Sequence, residues 1–160
     1  MDISAKRSAA EKVKRRLDRQ LSPLGFKRTK PTFWTRPNAS TIEFVHLHLY
    51  TFAPAFRVHC GVRALDDPFE AIALNGPSSN GVPLNPFEFD ASESSHESCA
   101  SLMAGYVRDQ DSWFSEQRTR PRASEFPLPE AAVISIASEQ LAPALAEARA
   151  RTARLLGITG

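Results

Sequence analysis

At 160 residues, 42% hydrophobic and 24% charged, the chain has the size and make-up of one globular domain that buries its own core without metal or disulfide staples. Two cysteines, Cys60 and Cys99, are too few for a disulfide framework, and the charged start MDISAKRSAAEKVKRR lacks the apolar stretch of a signal peptide. No run approaches the roughly 18 apolar residues of a membrane span, so a cytoplasmic protein without membrane association is expected.

The net charge of +2 conceals an asymmetry. Residues 1–30 carry ten Lys/Arg against three Asp/Glu, whereas residues 66–97 hold seven acids and no base. A basic end attracts polyanions and an acidic loop attracts a basic partner; alternatively the two segments neutralise each other.

The first predicted element is a helix over about residues 4–22. Ile3, Ala10, Val13, Leu17 and Leu21 recur at helical spacing and form one apolar stripe, while Lys12, Lys14, Arg15, Arg16 and Arg19 fall mostly off it. Ser8 with Glu11 fits a capping box, with Asp2 or Ser4 as earlier starts. Pro23 ends the helix, and Leu24-Gly25-Phe26 turns the chain.

Three strands are predicted next: Thr32 to Arg36, Thr41 to Phe52, and Ala55 to Leu65. The short connections between them imply an antiparallel meander. Alternation in the last two fixes a preferred pairing. Val45, Leu47 and Leu49 share a core face with Phe56, Val58 and Cys60. Ile42, Phe44, His46, His48 and Tyr50 then share the opposite face with Arg57, His59 and Arg63. A slip of one residue would instead bury Ile42, Phe44, His46 and His48.

Residues 66–95 are the least regular, with a loop at Asn75 to Gly81 and an edge strand at Leu84 to Phe89. A helix follows over Glu93 to Val107, with Leu102, Met103 and Tyr106 facing the core. A shorter one starts near Ser112-Trp113-Phe114. Residues 118–129, rich in proline and arginine, connect to a last helical element from about Pro129. That element should kink or restart at Pro143 and end in a Schellman cap at Gly157-Ile158. The whole is expected to be one α+β domain over residues 1–160. An antiparallel sheet of about three to five strands packs against an N-terminal helix and C-terminal helices.

The run Leu21-Ser22-Pro23-Leu24-Gly25-Phe26-Lys27-Arg28 is followed by Phe33-Trp34-Thr35-Arg36, then Ile42 to Leu49, then Val58 to the pair Gly61-Val62. Together they resemble the bacterial domain-of-unknown-function family 4304. Its pattern is a helix ending in a Pro-Leu-Gly-Phe turn, an aromatic strand, and an apolar hairpin closing on Gly-Val. The resemblance covers about residues 8–65, and more loosely extends to 115 through Trp113. It implies the fold and brings no activity and no catalytic residue.

The chain contains no P-loop, no GxGxxG and no GxSxG element. Three readings compete for the hairpin's second face. His46, His48 and His59 are weak candidates for metal ligands, in a small metal-dependent hydrolase. His46, His48, Tyr50, Arg57, His59 and Arg63 form a binding face. Extended by the basic surface of Lys12, Arg15, Arg16 and Arg19, that face would bind nucleic acid. The third reading is a half-buried sheet face with satisfied histidines. Cys60 reads as a small core hydrophobe. Cys99, three residues after His96, reads as a reactive pair or, more simply, as an exposed polar helix position.

The function expected is a non-catalytic binding or regulatory module for another protein. Its acidic loop 66–97 would dock the partner through Glu70, Glu88, Asp90, Glu93 and Glu97. No cofactor is expected, and either a monomer or a homodimer fits.

Overall fold

A computed structural model describes residues 1–79, 87–119 and 138–159. Helix α1 spans Ile3–Leu21 and buries Ala9, Ala10, Val13, Leu17 and Leu21. Its cap is Asp2, whose Oδ1 accepts the Ala5 N–H at 2.7 Å. The Ser8–Glu11 box therefore lies inside the helix, and Ile3, expected on the core stripe, is 72% exposed. A 3₁₀ turn, Ser22–Leu24, leads to Gly25 in the left-handed conformation (φ 90°). A side chain there would be strained, and the Arg36 aliphatic stem stands 3.1 Å from where a Cβ would sit.

The sheet has four antiparallel strands in sequence order: β1 (Lys27–Lys30), β2 (Phe33–Pro37), β3 (Thr41–Leu49) and β4 (Phe56–Ala64). β1 was not foreseen. It is a four-residue, lysine-ended edge strand with a register irregularity between Arg28 and Lys30, too polar and short for alternation to reveal it. β3 ends at Leu49 rather than Phe52. Val45 faces Cys60, Leu47 faces Val58, and Leu49 faces Phe56, so the preferred register is the one adopted.

That pairing gives the sheet two faces. Trp34, Val45, Leu47, Val58, Cys60 and Val62 pack beneath α1 and α2 (Glu93–Asp109), which cross on this side. Trp34 is wholly buried, and its indole N–H donates to Asp18 Oδ1 at 3.0 Å. α2 contributes Cys99, Ala100, Met103, Ala104 and Val107; Leu102, expected in the core, is 53% exposed. Helix α3 (Asp111–Thr119) adds Phe114 against Phe26.

The second face is partly covered by α4 (Ser138–Leu156), which buries Ala148, Thr152 and Leu156 at four-residue spacing. Leu156 meets Ile42 and Phe44. α4 is one helix through Pro143; the ring is exposed there, and no second start occurs. Gly157 (φ 71°) and Ile158 close it, donating to the carbonyls of Arg154 and Ala153 in a Schellman pattern. The Thr29 hydroxyl and Lys30 Nζ donate to the carbonyls of Leu156 and Leu155, so β1 and the helix end satisfy each other. Gly61 also has a packing reason: a Cβ there would stand 2.2 Å from the Phe44 ring.

The outer edge of β4 is not bare. Cys60 N–H donates to Pro77 O, Ser79 N–H donates to Val58 O, and the Asn75 amide pairs with both backbone groups of Val62. Residues 75–79 thus occupy the edge that another chain would otherwise template on. Of the Leu84 to Phe89 strand, residues 84–86 lie outside the described residues, and Glu88 forms a single bridge with Ala55. The 120–129 part of the predicted connector and the helical stretch 129–137 also lie outside them.

Candidate functional site

The second face, beyond the reach of α4, is built by alternation on two paired strands. His46 lies directly opposite His59, and His48 directly opposite Arg57. Phe33 on β2 pairs with His46 and stacks on it at 4.4 Å, and His46 in turn stacks on His59 at 6.0 Å. Tyr50 meets His48 edge-on at 5.8 Å. Arg57 Nε donates to the Tyr50 hydroxyl at 3.2 Å.

The histidines differ in their fixing. His46 Nδ1 lies 3.1 Å from the Thr32 carbonyl, which makes Nδ1 the protonated nitrogen. Burial lowers the His46 pKa, the Thr32 bond opposes that, and His48 adds repulsion. Burial, then repulsion from His46, Arg57 and His48, pushes His59 down to about 4. His48 is exposed. Among the described residues, no three His, Cys, Asp or Glu side chains are grouped to hold a metal ion.

Arg63 belongs to this face by parity but not by role. It is 3% exposed. Its guanidinium donates to Thr152 Oγ1 on α4 and to the carbonyls of Ala71, Asp67 and Phe69. This corrects its placement as a binding residue: it ties α4 and the loop after β4 to the sheet.

The basic helix does not extend the histidine face, because α1 packs on the other side of the sheet. Its cations are largely answered. Lys12 pairs with Glu93, Arg16 with Glu93 and Glu97, and Lys14 and Arg15 with Glu11, which also takes Arg28 of β1. Arg19 is exposed and forms no ion pair among the described residues. The same contacts remove Glu93 and Glu97 from the acidic loop. Asp67 is buried, and Asp90 accepts from Ser92 at the start of α2. Asp66, Glu70 and Glu88 are exposed, and their carboxylates form no ion pair among the described residues. Mutual neutralisation is the arrangement adopted.

Neither cysteine is a nucleophile. Both are buried, and burial pushes each thiol up to about 12. Cys99 Sγ donates to the Phe87 carbonyl, while His96 Nε2 bonds the Asp90 carbonyl, so the expected Cys–His pair is not formed and Cys99 is not an exposed position. A water-soluble disulfide reagent is expected to titrate neither thiol in the native protein and both after denaturation. Prompt native reaction of either would contradict this environment.

One surface was missed from sequence. At the tip of the β3–β4 hairpin, Tyr50 packs on Phe52 at 5.2 Å, and Phe52 is 79% exposed. Met1 and Ile3, from the start of α1, stand beside it, 57% and 72% exposed. They line a groove of about 600 Å³ rimmed by Lys6 and Arg7. Lys6 Nζ donates to the carbonyls of Tyr50 and Thr51, which fixes the helix start to the hairpin tip. The available signal was a phenylalanine in a turn, where no core can be reached.

The fold is that of an α+β protein with an open antiparallel sheet, and no described helix is long and apolar enough to cross a membrane. No protein-family model, curated protein or solved structure matches the chain.

Proposed function

We propose that the chain is a cytoplasmic, non-catalytic binding module that docks another protein at the hairpin-tip groove rather than through its acidic loop. The observation that carries this is the cluster of Met1, Ile3 and Phe52, three large apolar side chains exposed together beside two cations. Contiguous exposed apolar surface with a polar rim is characteristic of protein contacts. Two buried free thiols suit a reducing compartment. Kinship with the domain-of-unknown-function family 4304, on the Leu24-Gly25-Phe26 turn and the Gly61-Val62 pair, belongs to the same proposal.

The test is capture from the native lysate, treated with nuclease, by wild-type and Phe52→Asp proteins. A specific protein retained by the wild type should be lost or bound at least tenfold more weakly by the variant, the scale of a central apolar anchor. Phe52 is a surface residue, so the fold should survive. Undiminished retention by the variant, or retention that nuclease abolishes, would overturn the reading.

A further inference from the structure

We propose that His46, His48, Arg57 and His59 form a site for a tetrahedral oxyanion of the phosphate class. The inference stands on the second sheet face and does not depend on a protein partner at the hairpin tip.

The argument begins with spacing. Directly opposed residues stand about 5 Å apart at Cβ, and alternate residues on one strand about 7 Å apart. His46 opposite His59 and His48 opposite Arg57 therefore place four nitrogen-bearing side chains at the corners of a small rectangle. That is the scale on which several donors converge on one tetrahedral anion.

The donor capacity is largely unspent. Among the described residues Arg57 donates from Nε to the Tyr50 hydroxyl and lies over the Tyr50 ring, and its two terminal nitrogens make no hydrogen bond. His46 uses Nδ1 on Thr32 and keeps Nε2. His48 and His59 make no side-chain hydrogen bond among the described residues. Phe33 flanks His46 from β2, and Tyr50 meets His48 edge-on.

The electrostatics point the same way. The titratable groups facing His59 are His46 and His48 on β3 and Arg57 on its own strand, with Ser78 on the edge segment. Among the described residues no carboxylate faces it; Glu43, the one acid of β3 and β4, lies on the opposite side of the sheet beside Val62. Burial first, then repulsion from the neighbouring imidazoles and, at His59, from the fixed charge of Arg57, disfavours the charged forms of His46 and His59. A bound oxyanion would supply a counter-charge and favour the imidazoliums. Binding would then take up protons and tighten as pH falls.

Sulfate is the primary probe because it stays a dianion across the acid range. Histidine ring resonances of the full chain would be followed during sulfate titrations at pH 5 and pH 7.5, at constant ionic strength set with chloride. The expected result is saturable shifts of His46, His48 and His59, with affinity at least tenfold higher at pH 5. The apparent pKa of His59 should rise with sulfate. Arg57→Gln, and separately the exposed His48→Gln, should each weaken binding several-fold with the fold intact. Inorganic phosphate and glycerol phosphate should each displace sulfate, the tighter of the two telling a free ion from an ester; displacement by neither would overturn the proposal. Unsaturable shifts, pH-independent affinity, or unchanged binding by both variants would leave an adventitious ion only and overturn the proposal.

Discussion

Replacing Arg63 by methionine is expected to lower stability by about 3 kcal/mol, near 10 °C in melting temperature for a chain of this size. Methionine roughly fills the volume, so the loss isolates the guanidinium. Four acceptors lose their donor at once: Thr152 Oγ1 and the carbonyls of Asp67, Phe69 and Ala71. Each buried acceptor left unpaired costs about 1–3 kcal/mol, less where water can enter from the loop side. The damage should be regional. Native-state hydrogen exchange should show α4 and residues 65–72 opening before the strands, because Arg63 joins these pieces across the sheet face. Sulfate binding should be unchanged, since Arg63 points into the α4 interface and not into the histidine rectangle. A variant that melts like the wild type, or that loses sulfate binding while folded, would refute this assignment.

Glu43→Ala is expected to cost more, about 3–5 kcal/mol, the usual penalty for removing one partner of a buried ionic cluster. Glu43 is fully buried on the helix-covered face. Arg36 Nε donates to its Oε1 at 2.7 Å, and Arg118 on α3 donates to both oxygens at 2.8 Å. Arg36 is held between other partners, donating to the Leu24 carbonyl and lying over Phe26 and Phe114. It cannot swing to water when the carboxylate goes. Glu43→Gln, which keeps an acceptor, should cost less than alanine.

The same cluster sets an acid limb. Burial opposes ionisation of Glu43, but the hydrogen bonds from Arg118 and Arg36 outweigh it and hold the carboxyl below its ordinary range. A carboxyl lowered in the folded state contributes stability that is complete above the unfolded value, roughly 4.3. That contribution fades as pH falls through the lower folded value. Chemical denaturation from pH 6 to 2.5 should therefore show a steeper acid loss in wild type than in Glu43→Gln. Parallel limbs would remove Glu43 from the account. His59 works on the same side: its folded pKa of about 4 lies below the ordinary histidine value, so the unfolded chain binds the extra proton, and stability falls as pH drops from about 6.5 towards 4.

Glu43 was also legible and overlooked. It sits two residues before Val45, in phase with the apolar set, so alternation alone puts a charge on the core face. A buried charge demands partners. What the pattern does not give is that one partner comes from 75 residues away on α3.

The helix that ends at Pro23 and Gly25, the two faces of the hairpin and their preferred register, and the Schellman cap at Gly157 were all legible in the order of residues. Each follows from a period of 2 or 3.6 or from a backbone conformation that only certain residues adopt, information local to a few turns of chain. What those faces meet was set by packing between elements distant in the chain. α1 lies on the side away from the histidines, Glu93 and Glu97 answer its bases, Cys99 is sealed beneath Phe87, and α4 takes Arg63 out of the exposed set. Periodicity fixes the direction of a side chain relative to its own strand or helix. Its partner depends on which distant element packs there, and that choice is made by the burial of the whole chain.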